Sequence, residues 1–90
     1  MTGTWRSYKK TKYLVSNSGK VFDLNSGEFI EPVLIWRYLR VYLKCSEFER
    51  NIYVHRMVMT CFASNPEDKQ KIRHINGDFQ DNHIDNLEWY

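Results

Sequence analysis

The sequence predicts an α+β domain, a small antiparallel β fold built around one central helix. Short alternating stretches bounded by Asn, Ser and Gly recur through the first half of the chain, as they do in hairpins. One segment, His55 to Ala63, puts Met57, Val58, Cys61 and Phe62 on a single apolar face at helical spacing. Ninety residues make one small domain, 1–90, with enough chain for a modest core and no obligatory staples.

Trp5 begins the ordered part. Tyr13 to Ser16 is rich in β-favouring residues, and Asn17-Ser18-Gly19 breaks it. Lys20 to Leu24 alternates like a half-buried strand, Asn25-Ser26-Gly27 turns the chain, and Glu28 to Ile30 returns it. Gly19 and Gly27 fall where a turn needs positive φ. Pro32 cannot donate to a ladder, so a connection or sheet edge is expected there. Tyr38 to Leu43 and Asn51 to Val54 form a second hairpin across Cys45 to Arg50. Pro66 disfavours helix at Asn65, so the helix ends before it, and Glu67 to Lys71 is a charged connection. The last stretch, Ile72 to Trp89, reads as strand, turn, loop and strand, with Asn76-Gly77-Asp78 as the turn. The expected core is Trp5, Val15, Val21, Phe22, Val41, Val54, Val58, Phe62, Ile75, Leu87 and Trp89.

Composition narrows the function classes. No apolar run approaches a membrane span and no signal-peptide core follows the N-terminus, so a soluble cytoplasmic protein is expected. Cys45 and Cys61 are too few for a disulfide scaffold and lack zinc-ribbon spacing; free thiols are expected. The net charge of +2 hides an asymmetry. Arg6, Lys9, Lys10 and Lys12 lie in an acid-free N-terminal stretch, whereas Asp78, Asp81, Asp85 and Glu88 lie in a C-terminal one without Lys or Arg. The basic end suits phosphate or an acidic protein surface, or is simply a solvated face. Arg40 alternates with tyrosines, a pattern that holds nucleic acid by phosphate contact and stacking, or else covers a core.

The residues His74, Gly77, Asn82 and Asn86-Leu87-Glu88-Trp89 stand at fixed spacing. In this they resemble the HNH endonucleases of the intron-homing type found in phages. His55-Arg56, Val58 and Phe62 followed by Asn65-Pro66 are similar to that family's lead-in to its active site. Tyr13 to Val21 resembles the small module that precedes the nuclease core. The resemblance covers Trp5 to Trp89 and implies an N-terminal strand module, 1–31, followed by an HNH-like core, 36–90, with a truncated ββα-metal motif. It implies that His74 is the general base on an attacking water, a task that suits imidazole. It also implies that Asn86 orients that imidazole by a hydrogen bond, and that a divalent cation such as magnesium steadies the leaving oxygen.

The family holds this cation with the residue just before the histidine and with an Asn from a later helix. Here the first is Arg73, which cannot ligate a cation, and the second falls beyond Tyr90. No cofactor is therefore expected unless the nuclease reading holds, in which case Asp78 or Asp81 are the weak candidates to recruit the ion. Arg73 either grips a phosphate or pairs with Asp85 or Glu88. His55 and His83 have no metal partner at fixed spacing and are expected to be structural or exposed.

Three functional readings follow. The first is a phage-encoded, catalytically degenerate HNH-like binding protein, for example an inhibitor of a host defence nuclease such as a CRISPR effector. The second is an active metal-dependent HNH nicking endonuclease, and the third a DNA-binding accessory module. The partner is expected to be protein or DNA, with protein ranked first because the acidic stretch around His74 repels phosphate.

Overall fold

The computed structural model of the chain describes residues 3–46 and 48–90. Its first sheet is an antiparallel meander of β1 (Trp5–Ser7), β2 (Tyr13–Ser16), β3 (Val21–Asp23) and β4 (Glu28–Ile30), paired in that order. The turns form where Asn, Ser and Gly cluster. Ser16 Oγ accepts from Lys20 N at 2.9 Å and Asp23 Oδ1 from Asn25 N at 2.9 Å, so each strand end caps its own turn.

The second sheet orders β5 (Val33–Ile35), β6 (Tyr38–Lys44) and β7 (Glu49–Tyr53). β5 begins immediately after Pro32 and forms an edge, which is the position a proline permits. The β6–β7 ladder reaches Lys44 opposite Glu49, so the connecting turn is shorter than the sequence suggested; Glu47 within it lies outside the described residues. β7 runs directly into α1 (Val54–Phe62), a helix without a side-chain cap at its start. Its apolar face, Val54, Met57 and Val58 with Met59, is fully buried. A two-stranded sheet, β8 (Ile72–His74) with β9 (Leu87–Trp89), completes the fold.

One core unites the layers: Tyr13, Val15 and Val21 from the first sheet, Val41 and Leu43 from the second, the helix face, and Leu87. Phe62 and Trp89 pack against it half-buried. Two expectations need correction. Ile75 is 57% exposed. Successive strand residues point to opposite faces, so burying His74 turns Ile75 out to water. Trp5 and Phe22 are only half-buried; with Phe29 they form a separate aromatic cluster, at centroid distances of 6.4, 6.0 and 5.1 Å.

The N-terminal sheet is tied to the last stretch of chain. Ile84 N donates to Asn17 O at 2.8 Å, and Arg6 Nη1 donates to Cys61 O at the end of α1 at 2.8 Å. Gly19 has φ +90°, and a Cβ there would stand 2.9 Å from Asn82 Cβ. The strand module thus forms one wall of the loop that carries Asn82.

Candidate active site

His74 ends β8 opposite Leu87 and is 5% exposed. Its Nε2 lies 2.9 Å from Asn82 Oδ1, and Asn82 is itself 4% exposed. With the carboxamide oxygen as acceptor, Nε2 carries the proton and the lone pair sits on Nδ1, the nitrogen then able to act as base. This departs from the expected pairing with Asn86. Asn86 Oδ1 accepts from Asn76 N at 2.9 Å, and Asn86 Nδ2 donates to Asp81 O at 2.9 Å. Both ends of its carboxamide close the loop, so Asn86 acts on His74 at one remove, by fixing the segment that presents Asn82. The sequence put both asparagines in the motif, but which carboxamide reaches the ring depends on how the loop folds.

The loop is held by its own acids. Gly77 takes φ +78°, and Asp78 N donates to Asn76 Oδ1 at 2.8 Å. Asp78 Oδ1 accepts from Gln80 N at 3.0 Å and Asp81 Oδ2 from Asn76 Nδ2 at 3.0 Å. Asp85 N donates to His83 Nδ1 at 3.1 Å, which caps the short helical turn that follows. Arg73 stands opposite Glu88 in the β8–β9 ladder and grips its carboxylate through Nε, at 2.6 Å, and Nη2. It lies on the solvent side of the strand, away from the buried His74, and its guanidinium also sits over Tyr90. The pairing with Glu88 is the one Arg73 was expected to make if it does not grip phosphate.

This donor chemistry does not fit a divalent cation beside His74. Hard cations need free carboxylate or carbonyl oxygens. Position 73 offers a paired guanidinium, and Asp78 and Asp81 have oxygens committed to the loop. Among the described residues, no three His, Cys, Asp or Glu side chains converge as a metal site.

An aromatic wall surrounds His74. Ring centroids of His55, Phe79 and Tyr38 lie 5.2, 5.7 and 6.0 Å from that of His74. Tyr53 stacks on His55 at 5.4 Å. Burial, with smaller contributions from His74 and Arg56, pushes His55 down to about 4, so its ring is neutral near pH 7. Among the described residues its Nδ1 has no hydrogen-bond partner. Of the two alternatives expected for His55, structural or exposed, the buried ring takes the first.

The wall continues onto the second sheet. Val41 and Leu43 point into the core, so Tyr38, Arg40 and Tyr42 share the opposite face, with Tyr53 directly across from Arg40. The expected grouping of Arg40 with tyrosines is therefore present, and it adjoins His74 through Tyr38. Beside Tyr53 a groove of about 380 Å³ is lined by Lys9, Arg50 and Arg56 among others. Lys10 lines a neighbouring hollow with Lys9 and Arg50. Of the expected basic group, then, Lys9 and Lys10 face these grooves. Arg6 is instead committed to the end of α1, over Phe62, and Lys12 to Asp23 at 3.6 Å. Arg50 and Arg56, which the sequence did not single out, take their place.

No protein-family model matches the chain. Two relatives from Acanthamoeba polyphaga mimivirus do, both named uncharacterized HNH endonucleases. L247 is 40% identical over 81 residues, covering 87% of this chain and 20% of its own. L245 is 31% identical over 78 residues, covering 86% and 24%. The chain thus spans about a fifth to a quarter of these relatives. Among solved structures, one describing DNA binding and cleavage by the HNH homing endonuclease I-HmuI superposes with a TM-score of 0.88 at 28% identity, over 97% of this chain and 52% of the other.

Proposed function

The chain belongs to the HNH-type homing endonuclease family, and we propose that it binds DNA through this fold without cutting it at a useful rate. The observation that carries the reading is the Arg73–Glu88 pair, which fills with a bound cationic side chain the position where the resemblance places a cation ligand. His74, oriented by Asn82, can still accept a proton from water at Nδ1. General-base assistance supplies only about a hundred- to ten-thousandfold, far too little for a phosphodiester when the charge building on phosphorus and the leaving oxygen is left unmatched.

DNA is the partner this reading favours. The solved relative is described as binding DNA, and the face beside His74 carries Arg40 and Tyr38, with the Lys9, Arg50 and Arg56 groove next to it. Of the acids of residues 78–88, Glu88 is paired with Arg73, and the cations at Arg40 and in the Lys9, Arg50 and Arg56 groove lie apart from that loop, which ranks DNA above a protein partner or an inhibitory role toward a defence nuclease. The preserved His74–Asn82 pair favours a second reading, nicking by an assembly in which another chain supplies the cation's ligands.

Fluorescence anisotropy with a labelled DNA duplex tests the binding half, and binding that weakens as salt rises is expected. Paramagnetic resonance of manganese tests the other. The free-ion signal is expected to be undiminished by the unmodified chain and reduced by Arg73→Asp, which would set two carboxylates side by side with Glu88. Absence of DNA binding, or manganese held by the unmodified chain and released by His74→Ala, would overturn the reading.

A further inference from the structure

The turn between β5 and β6 carries a backbone conformation that its residues do not favour. Ile35 pairs with Tyr38, so Trp36 and Arg37 are the two central residues of a tight hairpin. Such turns need positive φ at their first residue and normally place Gly or Asn there. Here Trp36 takes φ +63°, a strained backbone for a bulky side chain, and its indole is 83% exposed. Folding gains almost nothing from this residue.

The indole is nevertheless held in place. Arg37 Cζ lies 4.6 Å from the Trp36 ring and 5.1 Å from that of Phe79, and Phe79 in turn packs on His74 and on Tyr38. Trp36 therefore stands two side chains away from the candidate base, and Arg37 spans the interval. Residues 32–46 hold Arg37, Arg40 and Lys44 and no Asp or Glu; Arg37 lies in the turn itself, and Arg40 and Lys44 on the central strand β6. An exposed indole flanked by guanidinium, in an acid-free stretch, matches a nucleic-acid strand: in a duplex the ring can wedge between base steps and stack on a base there, and the cation takes the phosphate.

We infer that the Trp36–Arg37 turn is a base-stacking element that grips DNA beside the His74 site, with Trp36 against a base and Arg37 on the adjoining phosphate. This rests on the DNA-binding reading and specifies where the DNA is held.

The test uses the full chain and a short mixed-sequence DNA duplex, with affinity read by anisotropy of labelled DNA and stacking read by tryptophan emission. Emission of the unmodified chain should be quenched on adding duplex, and Trp36→Phe should lose most of that quenching. Trp36→Ala should bind roughly five- to a hundredfold more weakly, with no fall in melting temperature because the side chain is exposed. Equal affinity of Trp36→Ala and the unmodified chain would overturn the inference while leaving DNA binding intact. So would binding without any change in emission. Failure of the unmodified chain to bind duplex would overturn both readings together. If Trp36→Ala leaves DNA affinity unchanged but breaks up a dimer seen by sedimentation, the turn joins a second copy of the chain instead, and the inference falls.

Discussion

Asn82 is the residue on which the site turns. It is buried, its carboxamide oxygen stands 2.9 Å from His74 Nε2, and Gly19 presses against it from another part of the chain. Gly19→Ala sets a methyl group 2.9 Å from Asn82 Cβ at a backbone angle that L residues avoid. We expect a cost of about 1–3 kcal/mol, seen as a lower melting temperature. His55 makes a separate prediction. Its pKa falls from 6.5 in the open chain to about 4 when buried. Below pH 6.5 the unfolded chain therefore binds more protons than the folded one. This contribution to stability is complete above that pH and is lost as pH falls toward 4, at most about 1.4 kcal/mol per pH unit. Urea unfolding across this window should show the slope, and His55→Gln should lack its share of it. His74 was singled out by the resemblance of its surroundings to the HNH pattern. Asn82 was not singled out as its partner, because the loop holds four carboxamides, Asn76, Gln80, Asn82 and Asn86, and the sequence does not show which of them the folded loop turns toward the ring.

At the scale of elements, the helix and the hairpins were legible because their signals are local. The periodicity of residues 54–62 and the Asn, Ser and Gly clusters suffice. β5 was not, since Val33-Leu34-Ile35-Trp36 is a continuous apolar run with no alternation to mark a strand, preceded by a proline. Only pairing with β6 makes it one. The helix also orders the core energetically. Met57 is fully buried, so Met57→Ala should cost about 2–5 kcal/mol. Phe62→Ala, at a half-buried site beneath Arg6, should cost less than Met57→Ala. The order of the two midpoints in chemical denaturation checks this assignment; a larger fall at Phe62 would place the core elsewhere.

At the scale of the whole molecule, folding brings three cations distant in sequence into one groove. Lys9 from the N-terminal loop, Arg50 from β7 and Arg56 from α1 line one groove beside Tyr53, although Arg56 also donates to Gln70 O at 2.6 Å; Arg6 and Lys12, neighbours of Lys9 in sequence, serve structural pairings away from that groove. Charge counting along the chain could not separate these roles, because it cannot see which cations the fold brings to one groove. Neutralising Lys9, Arg50 and Arg56 together should weaken DNA binding and flatten its dependence on salt, by about one unit of slope for each phosphate left without its cation. The same change at Arg6 and Lys12 should lower stability more than it alters that slope.

The central claim is that this HNH fold holds DNA but does not cut it, and conversion of supercoiled plasmid to the nicked form tests it most directly. The unmodified chain, at concentrations that saturate the plasmid, should produce no nicked product above background in magnesium or manganese. Arg73→Asp alone should change little. Nicking by the unmodified chain that requires the cation and disappears in His74→Ala would contradict the claim and make the protein a working nuclease.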